Sequence, residues 1–251
     1  MRPGAARFQP IDLVPALVIG AGVALAFVPF AVPLAPPALV AIWLVSFAAR
    51  SIAPVHQHCH GHLPVFGRRV ADALYDIVLM LAAGNVTPVW ELQHVKGHHR
   101  AYLGRIWDPA NNLRFGGGRL RFTILGDAMS LVDSVHLAGR DERVRLAAHL
   151  AVQVAAATLL ALADPWLALG FFALPWLLLR WAVFWFSFAQ HDRVPMTNVY
   201  SGSVTHFGWT NRLFLNVGHH TAHHEKPTLH WTRLPARTRH ILERIPPVCL
   251  R

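Results

Sequence analysis

Four long apolar stretches alternate with polar, histidine-rich regions along the chain. A helix needs about 20 apolar residues to cross the roughly 30 Å hydrocarbon core of a bilayer. The first and fourth stretches meet this length alone, and the second and third approach it. The stretches cover residues 13–34, 38–53, 146–163 and 165–190.

Tight turns join these stretches in pairs. Ala35-Pro36-Pro37 separates the first two, and Ala163-Asp164-Pro165 separates the last two. We therefore predict an all-α integral membrane fold, with four transmembrane helices in two hairpins. A cytoplasmic, histidine-rich helical cap would comprise residues 54–145 and 191–251. The whole chain, 1–251, is expected to form a single domain.

Residues 70–84 are amphipathic rather than uniformly apolar. Asp72 and Asp76 make this segment too polar and too short to span a bilayer. It is either an interfacial helix lying on the membrane or a buried helix of the cap. One helical face collects the apolar side chains Val70, Leu74, Ile77, Val78 and Leu81.

Composition and charge support a membrane protein with a defined orientation. Hydrophobic residues make up 54% of the 251 residues and charged residues only 14%, against about 25% charged in soluble domains. This excludes a disordered chain. The net charge is +10, yet neither hairpin turn carries a lysine or arginine. By the positive-inside rule, both termini and the cap face the cytoplasm. The arginines are scattered and match no nucleic-acid-binding motif, so no nucleic acid partner is expected.

Histidine is the unusual component of the chain. The 17 histidines outnumber the 13 aspartates and glutamates. Twelve of them form four clusters, all predicted on the cytoplasmic side: His56, His58, His60 and His62; His94, His98 and His99; His191; and His219, His220, His223 and His224.

Spacing within the clusters is typical of metal ligands. Residues three or four apart share a helical face, so His220, His223 and His224 can point the same way. His94 and His98 are also four apart, as are both overlapping pairs of the first cluster. One metal ion takes about four such ligands, so eight or more imidazoles suit two ions.

Imidazole ligands restrict the class of metal site but do not identify the metal. Imidazole suits zinc, copper, iron and nickel. Acidic residues are sparse, which disfavours the carboxylate-bridged di-iron site of soluble bundles. A metal-handling membrane protein without redox chemistry is the non-enzyme alternative. Transporters place ionisable ligands inside their spans, however, and these histidines lie outside them.

The order of these features resembles the membrane fatty-acid desaturase and hydroxylase superfamily. Two spans are followed by His-x-x-x-His and His-x-x-x-His-His, then by two more spans, a lone histidine and His-x-x-His-His. Residues 216–235 are especially similar to the third histidine box of bacterial desaturase-like proteins. The resemblance implies a non-haem di-iron centre of two iron ions, with O2 as co-substrate, that oxidises an unactivated C–H bond.

The resemblance also implies a ligand set, with no catalytic residues beyond the ligands. The first box has two overlapping registers. Pro64 and Phe66 favour His58 and His62, while His56 and His60 remain alternatives. His219 is treated as a non-ligand. The implied ligands are His58, His62, His94, His98, His99, His191, His220, His223 and His224.

Several residues beside the boxes are candidates to orient the ligands, because a ligating histidine usually donates its other N–H to a carboxylate or carbonyl. These candidates are Glu91, Asp108, Asp192, Asn216 and Glu225.

The reaction outcome stays open between related chemistries. Desaturation of a fatty acyl chain at the membrane surface is the favoured outcome. Gly97 and the Asp108-Pro109-Ala110 segment also resemble alkane and xylene hydroxylases, and Trp231-Thr-Arg-Leu-Pro235 resembles small carotenoid ketolases.

The chain contains no paired-cysteine, dinucleotide-binding or cytochrome pattern. An external electron carrier such as a ferredoxin is therefore expected as a partner, alongside a membrane lipid or acyl substrate. The implied location is a bacterial inner membrane, with the active site on the cytoplasmic side.

Overall fold

The computed structural model describes residues 8–102 and 108–251. Within these ranges every regular element is a helix, apart from an isolated bridge between Thr205 and Leu250. The prediction of an all-helical fold is therefore confirmed.

Four helices among the described residues are long and apolar enough to cross a membrane, as predicted. A fifth span would be added if residues 69–101 formed one broken crossing. The second helix runs beyond its predicted end, because the polar first histidine cluster continues it instead of breaking it. The four helices are Pro10–Ala31, Pro36–His62, Arg140–Ala163 and Pro165–His191.

Two of these helices carry histidines at their ends. Pro36–His62 and Pro165–His191 each contain 27 residues, or about 40 Å of helix at 1.5 Å per residue. This exceeds what the hydrocarbon core requires. Their last turns can therefore lie at the membrane surface, where imidazoles are not surrounded by lipid.

Regular segments within and between these spans are numbered in chain order. The α-helices are α1 (Leu13–Ala31), α2 (Pro36–Arg50), α3 (Ala53–His62), α4 (Arg69–Ala83), α5 (Thr87–Trp90), α6 (His99–Ala101), α7 (Arg119–Leu137), α8 (Arg140–Ala163), α9 (Pro165–Ala168), α10 (Leu174–His191), α11 (Thr210–Leu213), α12 (His220–Glu225) and α13 (Leu234–Ile241). Two π-helices, Glu91–His98 and Leu169–Ala173, interrupt the α-helical runs.

The chain divides into two compact units. Unit 1 comprises the residues up to Pro88 together with Gly139–Arg180, and unit 2 comprises Val89–Ala138 together with Trp181–Arg251. In unit 1, α1 packs along α2 and α4. The predicted turn after α8 is present there, with the Asp164 carboxylate accepting from the backbone N–H groups of Trp166 and Leu167 at 2.9 Å.

Helix α4 has two different faces. Tyr75, Asp76 and Leu79 are buried. The opposite side exposes Val70 and Leu74, which are 72% and 60% accessible. Helix α4 therefore combines both sequence interpretations, because one face joins the core of unit 1 and the other is an apolar surface.

The C-terminal end of α4 lies inside unit 1, where its last carbonyl groups need donors. Arg50 of α2 is 1% exposed and donates Nε–H to the carbonyl oxygen of Ala82 at 3.0 Å. Trp176 donates its indole N–H to Leu81 at 2.7 Å, and Gln153 donates to Gly84 at 2.7 Å. Side chains of three spans thus replace the water that would cap an exposed helix.

The π-helix Leu169–Ala173 presents further carbonyls, which accept from Arg50 and from Trp43. Arg50 Nη1 donates to Phe171 at 2.6 Å, and the Trp43 indole donates to Gly170 at 2.8 Å. Backbone that departs from α-helical bonding is tolerated in apolar surroundings only when its polar groups are satisfied internally. Arg50 therefore donates both to the C-terminal end of α4 and to the π-helix.

Replacing Arg50 with methionine should destabilise the protein, because Ala82 and Phe171 would lose their donors without losing their burial. An unsatisfied buried polar group costs about 1–3 kcal/mol. We expect R50M to lower the apparent Tm in detergent by several degrees. R50K should recover part of the loss, and R140M, which removes an exposed arginine of unit 1, should melt as the wild type. An unchanged Tm for R50M would contradict this account.

Candidate metal centre

Four histidines of unit 2 turn their Nε2 atoms toward one point. Successive Nε2···Nε2 distances are 3.2 Å from His98 to His224, 3.0 Å from His224 to His220 and 3.1 Å from His220 to His191. All four side chains are buried, and their ligand atoms lie within 4.8 Å of one another. We call this group, His98, His191, His220 and His224, the four-histidine cluster.

The outward nitrogens of two of these rings are hydrogen bonded. His98 Nδ1 lies 2.7 Å from Asp108 Oδ1, and His191 Nδ1 lies 3.0 Å from the carbonyl oxygen of Gly202. A carbonyl or ionised carboxylate can only accept, so both Nδ1 atoms carry the proton. The Nε2 lone pairs of His98 and His191 therefore point into the cluster.

Protons alone cannot satisfy the cluster. With His98 and His191 fixed as acceptors, both His224 and His220 would have to donate from Nε2. The 3.0 Å contact between those two nitrogens would then bring two N–H groups together. A cation removes the conflict by accepting all four lone pairs, and imidazole–metal bonds of about 2.1 Å place neighbouring ligand nitrogens about 3 Å apart. The donor set thus fits a metal ion.

A second group of unit 2 has the same character. His99 Nε2 lies 3.0 Å from His94 Nε2 and 3.0 Å from His223 Nε2. One nitrogen thus meets two others, and a neutral imidazole offers only one N–H. We call His94, His99 and His223 the three-histidine cluster.

The π-helix Glu91–His98 explains how one box supplies both clusters. The sequence spacing predicted an α-helix here, with His94 and His98 as the pair. The observed turn is wider, with bonds from residue i to i+5. His94 is therefore paired with His99, and His98 joins the other cluster. The predicted pairing of His94 with His98 is thus corrected by the local helix geometry. Residue spacing alone does not distinguish a π-helical turn from an α-helical one.

Helix α12 divides its histidines in the same way. His220 and His224, one turn apart, join the four-histidine cluster, and His223 joins the other. The loop before α12 is shaped by Asn211, whose side chain accepts from Gly218 N–H at 2.9 Å and donates to the His206 carbonyl at 2.8 Å.

A family model for fatty acid desaturases matches residues 29–251. The chain belongs to the fatty acid desaturase family. It matches no curated protein.

Unit 1 of this desaturase-family protein contains the first histidine box, on α3. His58 and His62 lie one turn apart, with ring centroids 5.0 Å from each other. His60 accepts from Val65 N–H at 3.0 Å through Nδ1, so its protonated Nε2 faces Asp76 at 3.3 Å. A ring protonated at Nε2 and hydrogen bonded at Nδ1 has no lone pair left for a metal.

His56 is likewise engaged within unit 1 of the desaturase-family protein. Its Nδ1 is hydrogen bonded to the Tyr75 hydroxyl, and its Nε2 lies 3.6 Å from Asp12 Oδ1. His56 and His60 therefore hold α3 against its neighbours. These contacts favour the His58 and His62 register.

The other residues singled out beside the boxes differ in their contacts. Asp108 holds His98, as described above. The Asp192 carboxylate lies 3.6 Å from Arg193, Asn216 donates to the Trp231 carbonyl at 3.2 Å, and Glu225 pairs with Arg237. Glu91 begins the π-helix. His219 precedes α12 and belongs to neither cluster.

Electrostatics keep His224 in the form that metals bind. Burial, reinforced by the surrounding imidazoles, lowers the pKa of His224 well below its ordinary value. His224 is therefore neutral at physiological pH, and neutral imidazole is the ligand form. Hydrogen bonding to Arg237 lowers the pKa of Glu225, which stays ionised just after the ligands.

Sequence reasoning missed several contacts around the clusters. The Tyr102 ring is stacked on His224, and the Gly202 carbonyl holds His191. Asp76, assigned only to an amphipathic segment, contacts His60. An aromatic side chain just after the second box was the one available signal for Tyr102. A backbone carbonyl leaves no signal in a sequence.

Asp108→Asn should weaken metal binding, because an amide can donate to Nδ1 and so favours the wrong His98 tautomer. Loss of such a partner typically costs about 10–100-fold in affinity. Metal content per chain after dialysis against a chelator measures this. Asp133→Asn is the matched control. It breaks an ion pair of 2.5 Å between Asp133 and Arg114, which involves no histidine. Equal metal retention in both variants would refute the role of Asp108.

Proposed function

We propose that the protein is a membrane di-iron oxidoreductase that desaturates a fatty acyl chain with O2. The observation that carries the proposal is the convergence of imidazole nitrogens into two clusters in a member of the fatty acid desaturase family. The imidazoles alone do not select the metal, because they also suit zinc or copper. We assign iron because the family implies it.

The proposed ligand set has two parts. The four-histidine cluster would hold one iron. The three-histidine cluster would contribute to the other, to which the sequence resemblance adds His58 and His62. When bound, the two irons would supply the activation of O2 that attack on an unactivated C–H bond requires.

The protein side chains prepare this chemistry in ways visible without the metal. Asp108 and the Gly202 carbonyl fix the tautomers of His98 and His191. Burial keeps the His224 imidazole neutral and shields the four-histidine cluster from bulk water. The apolar helices provide surroundings in which a lipid chain is soluble. The substrate is thus expected to be a membrane lipid or acyl chain.

Hydroxylation is the second candidate, and it rests on the resemblance of two segments that lie against each other. A Cβ at Gly97 would lie 3.1 Å from Pro109 and 2.9 Å from Leu137. The Gly97 and Asp108-Pro109-Ala110 segments that resemble alkane and xylene hydroxylases therefore pack as one feature. A ketolase acting on a carotenoid is a further variant of the same oxidation.

Electrons would come from an external carrier such as a ferredoxin. The C-terminal part of unit 2 exposes basic side chains at its surface, and these suit an acidic partner. Its exposed basic residues are Arg212, Lys226, Arg233, Arg239, Arg244 and Arg251. By the positive-inside rule this surface faces the cytoplasm, in a bacterial inner membrane.

Metal analysis of purified protein tests the di-iron proposal. We expect two irons per chain in the wild type. His98→Ala and His99→Ala, although adjacent, should each lower the content by one or more, because they belong to different clusters. His240→Ala, which removes an exposed histidine, should retain both irons. One zinc per chain, or a variable stoichiometry, would instead support a non-redox metal-handling protein.

Lipid profiling of cells that express the protein identifies the product. A new double bond, absent from cells carrying His98→Ala, is the expected result. A new hydroxyl or a carotenoid ketone would assign one of the alternative oxidations. Turnover of the purified iron protein with NADH alone would contradict the need for an external carrier.

A further inference from the structure

Tyr102 makes the closest ring contact with the four-histidine cluster among the described aromatic pairs. Its ring centroid lies 3.9 Å from that of His224, and the two planes differ by only 9°. The ring also lies 5.7 Å from His98 and 6.2 Å from His191, in edge-on arrangements. Tyr102 directly follows α6, so the second box fixes its position.

His224 differs from His98 and His191 in how its ring is held. His98 and His191 are held through Nδ1 by Asp108 and by Gly202. The buried Nδ1 of His224 has no hydrogen-bond partner among residues 8–102 and 108–251. No hydrogen bond from the described residues to this outer nitrogen therefore sets the rotation of the imidazole.

Stacking can replace that missing hydrogen bond. The Cβ–Cγ torsion of histidine is broad and roughly two-fold, so packing must select the ring orientation. A parallel ring at 3.9 Å blocks rotation, because turning the imidazole drives its edge into the phenol face. Rotation would also move Nε2 away from the nitrogens of His98 and His220.

We propose that Tyr102 is a positioning residue whose ring face, not its hydroxyl, orients His224 for metal binding. The inference rests on the proposed function, in that the four-histidine cluster must hold a metal. The hydroxyl makes a long 3.4 Å contact with the Val199 carbonyl and a hydrogen bond with Ser203, and neither partner is a cluster histidine. Phenylalanine should therefore serve as well as tyrosine.

Cobalt(II) titration of the metal-free protein in detergent tests this, because the d–d absorption of cobalt reports its coordination directly. Y102L removes the ring face, and Y102F removes only the hydroxyl. Y200L is the matched control, since the Tyr200 ring lies under Arg244 and, among the described ring contacts, meets no histidine of either cluster. Helix content by circular dichroism verifies folding, and Y102Q replaces Y102L if the latter misfolds.

The expected result is two classes of cobalt site in the wild type, in Y102F and in Y200L. Y102L should weaken one class about tenfold, the low end for loss of an outer-shell partner, and alter its spectrum. Unchanged binding in Y102L, or equal weakening in Y102F, overturns the inference but leaves the proposed function intact. A wild-type protein that binds no cobalt overturns both.

Discussion

The constraint on which the centre depends is the meeting of imidazole lone pairs in a buried space. His98 and His191 are protonated on their outer nitrogens, so their inner nitrogens can only accept. His220 and His224 cannot both donate while they face each other at 3.0 Å. A shared cation resolves this arrangement, and burial ensures that water does not compete for the lone pairs. The scarcity of acidic residues in the chain is consistent with a centre built from neutral ligands.

Two short helical segments distribute the ligands. In the π-helix, the wider turn brings His94 beside His99 and sends His98 elsewhere. In α12, His223 and His224 are neighbours in sequence but belong to different clusters. The second and third boxes therefore each contribute to both clusters, so a rotation of either segment would disturb every ligand it carries. Asp108 opposes rotation of the π-helix through His98, and Tyr102 opposes rotation of α12 through His224.

Unit 1 solves a related problem, in which irregular backbone must be satisfied in apolar surroundings. The end of α4 and the π-helix Leu169–Ala173 both present carbonyls that α-helical bonding leaves over. Arg50 bonds to both, and tryptophan and glutamine side chains complete the set. A charged residue inside an apolar helix is here a donor for backbone carbonyls.

The sequence by itself determined the four apolar helices and the residues that form the histidine boxes. Both depend on local properties, namely the length of an apolar run and the spacing of one residue type. The three-dimensional structure decided which histidine joins which cluster. The same residues can form a π-helical or an α-helical turn, and the two turns bring different histidines together. It also favoured the His58 register, since contacts with Val65, Asp76 and Tyr75 engage His60 and His56. The Gly202 carbonyl and the Tyr102 stacking face act through position in space, which residue spacing does not encode.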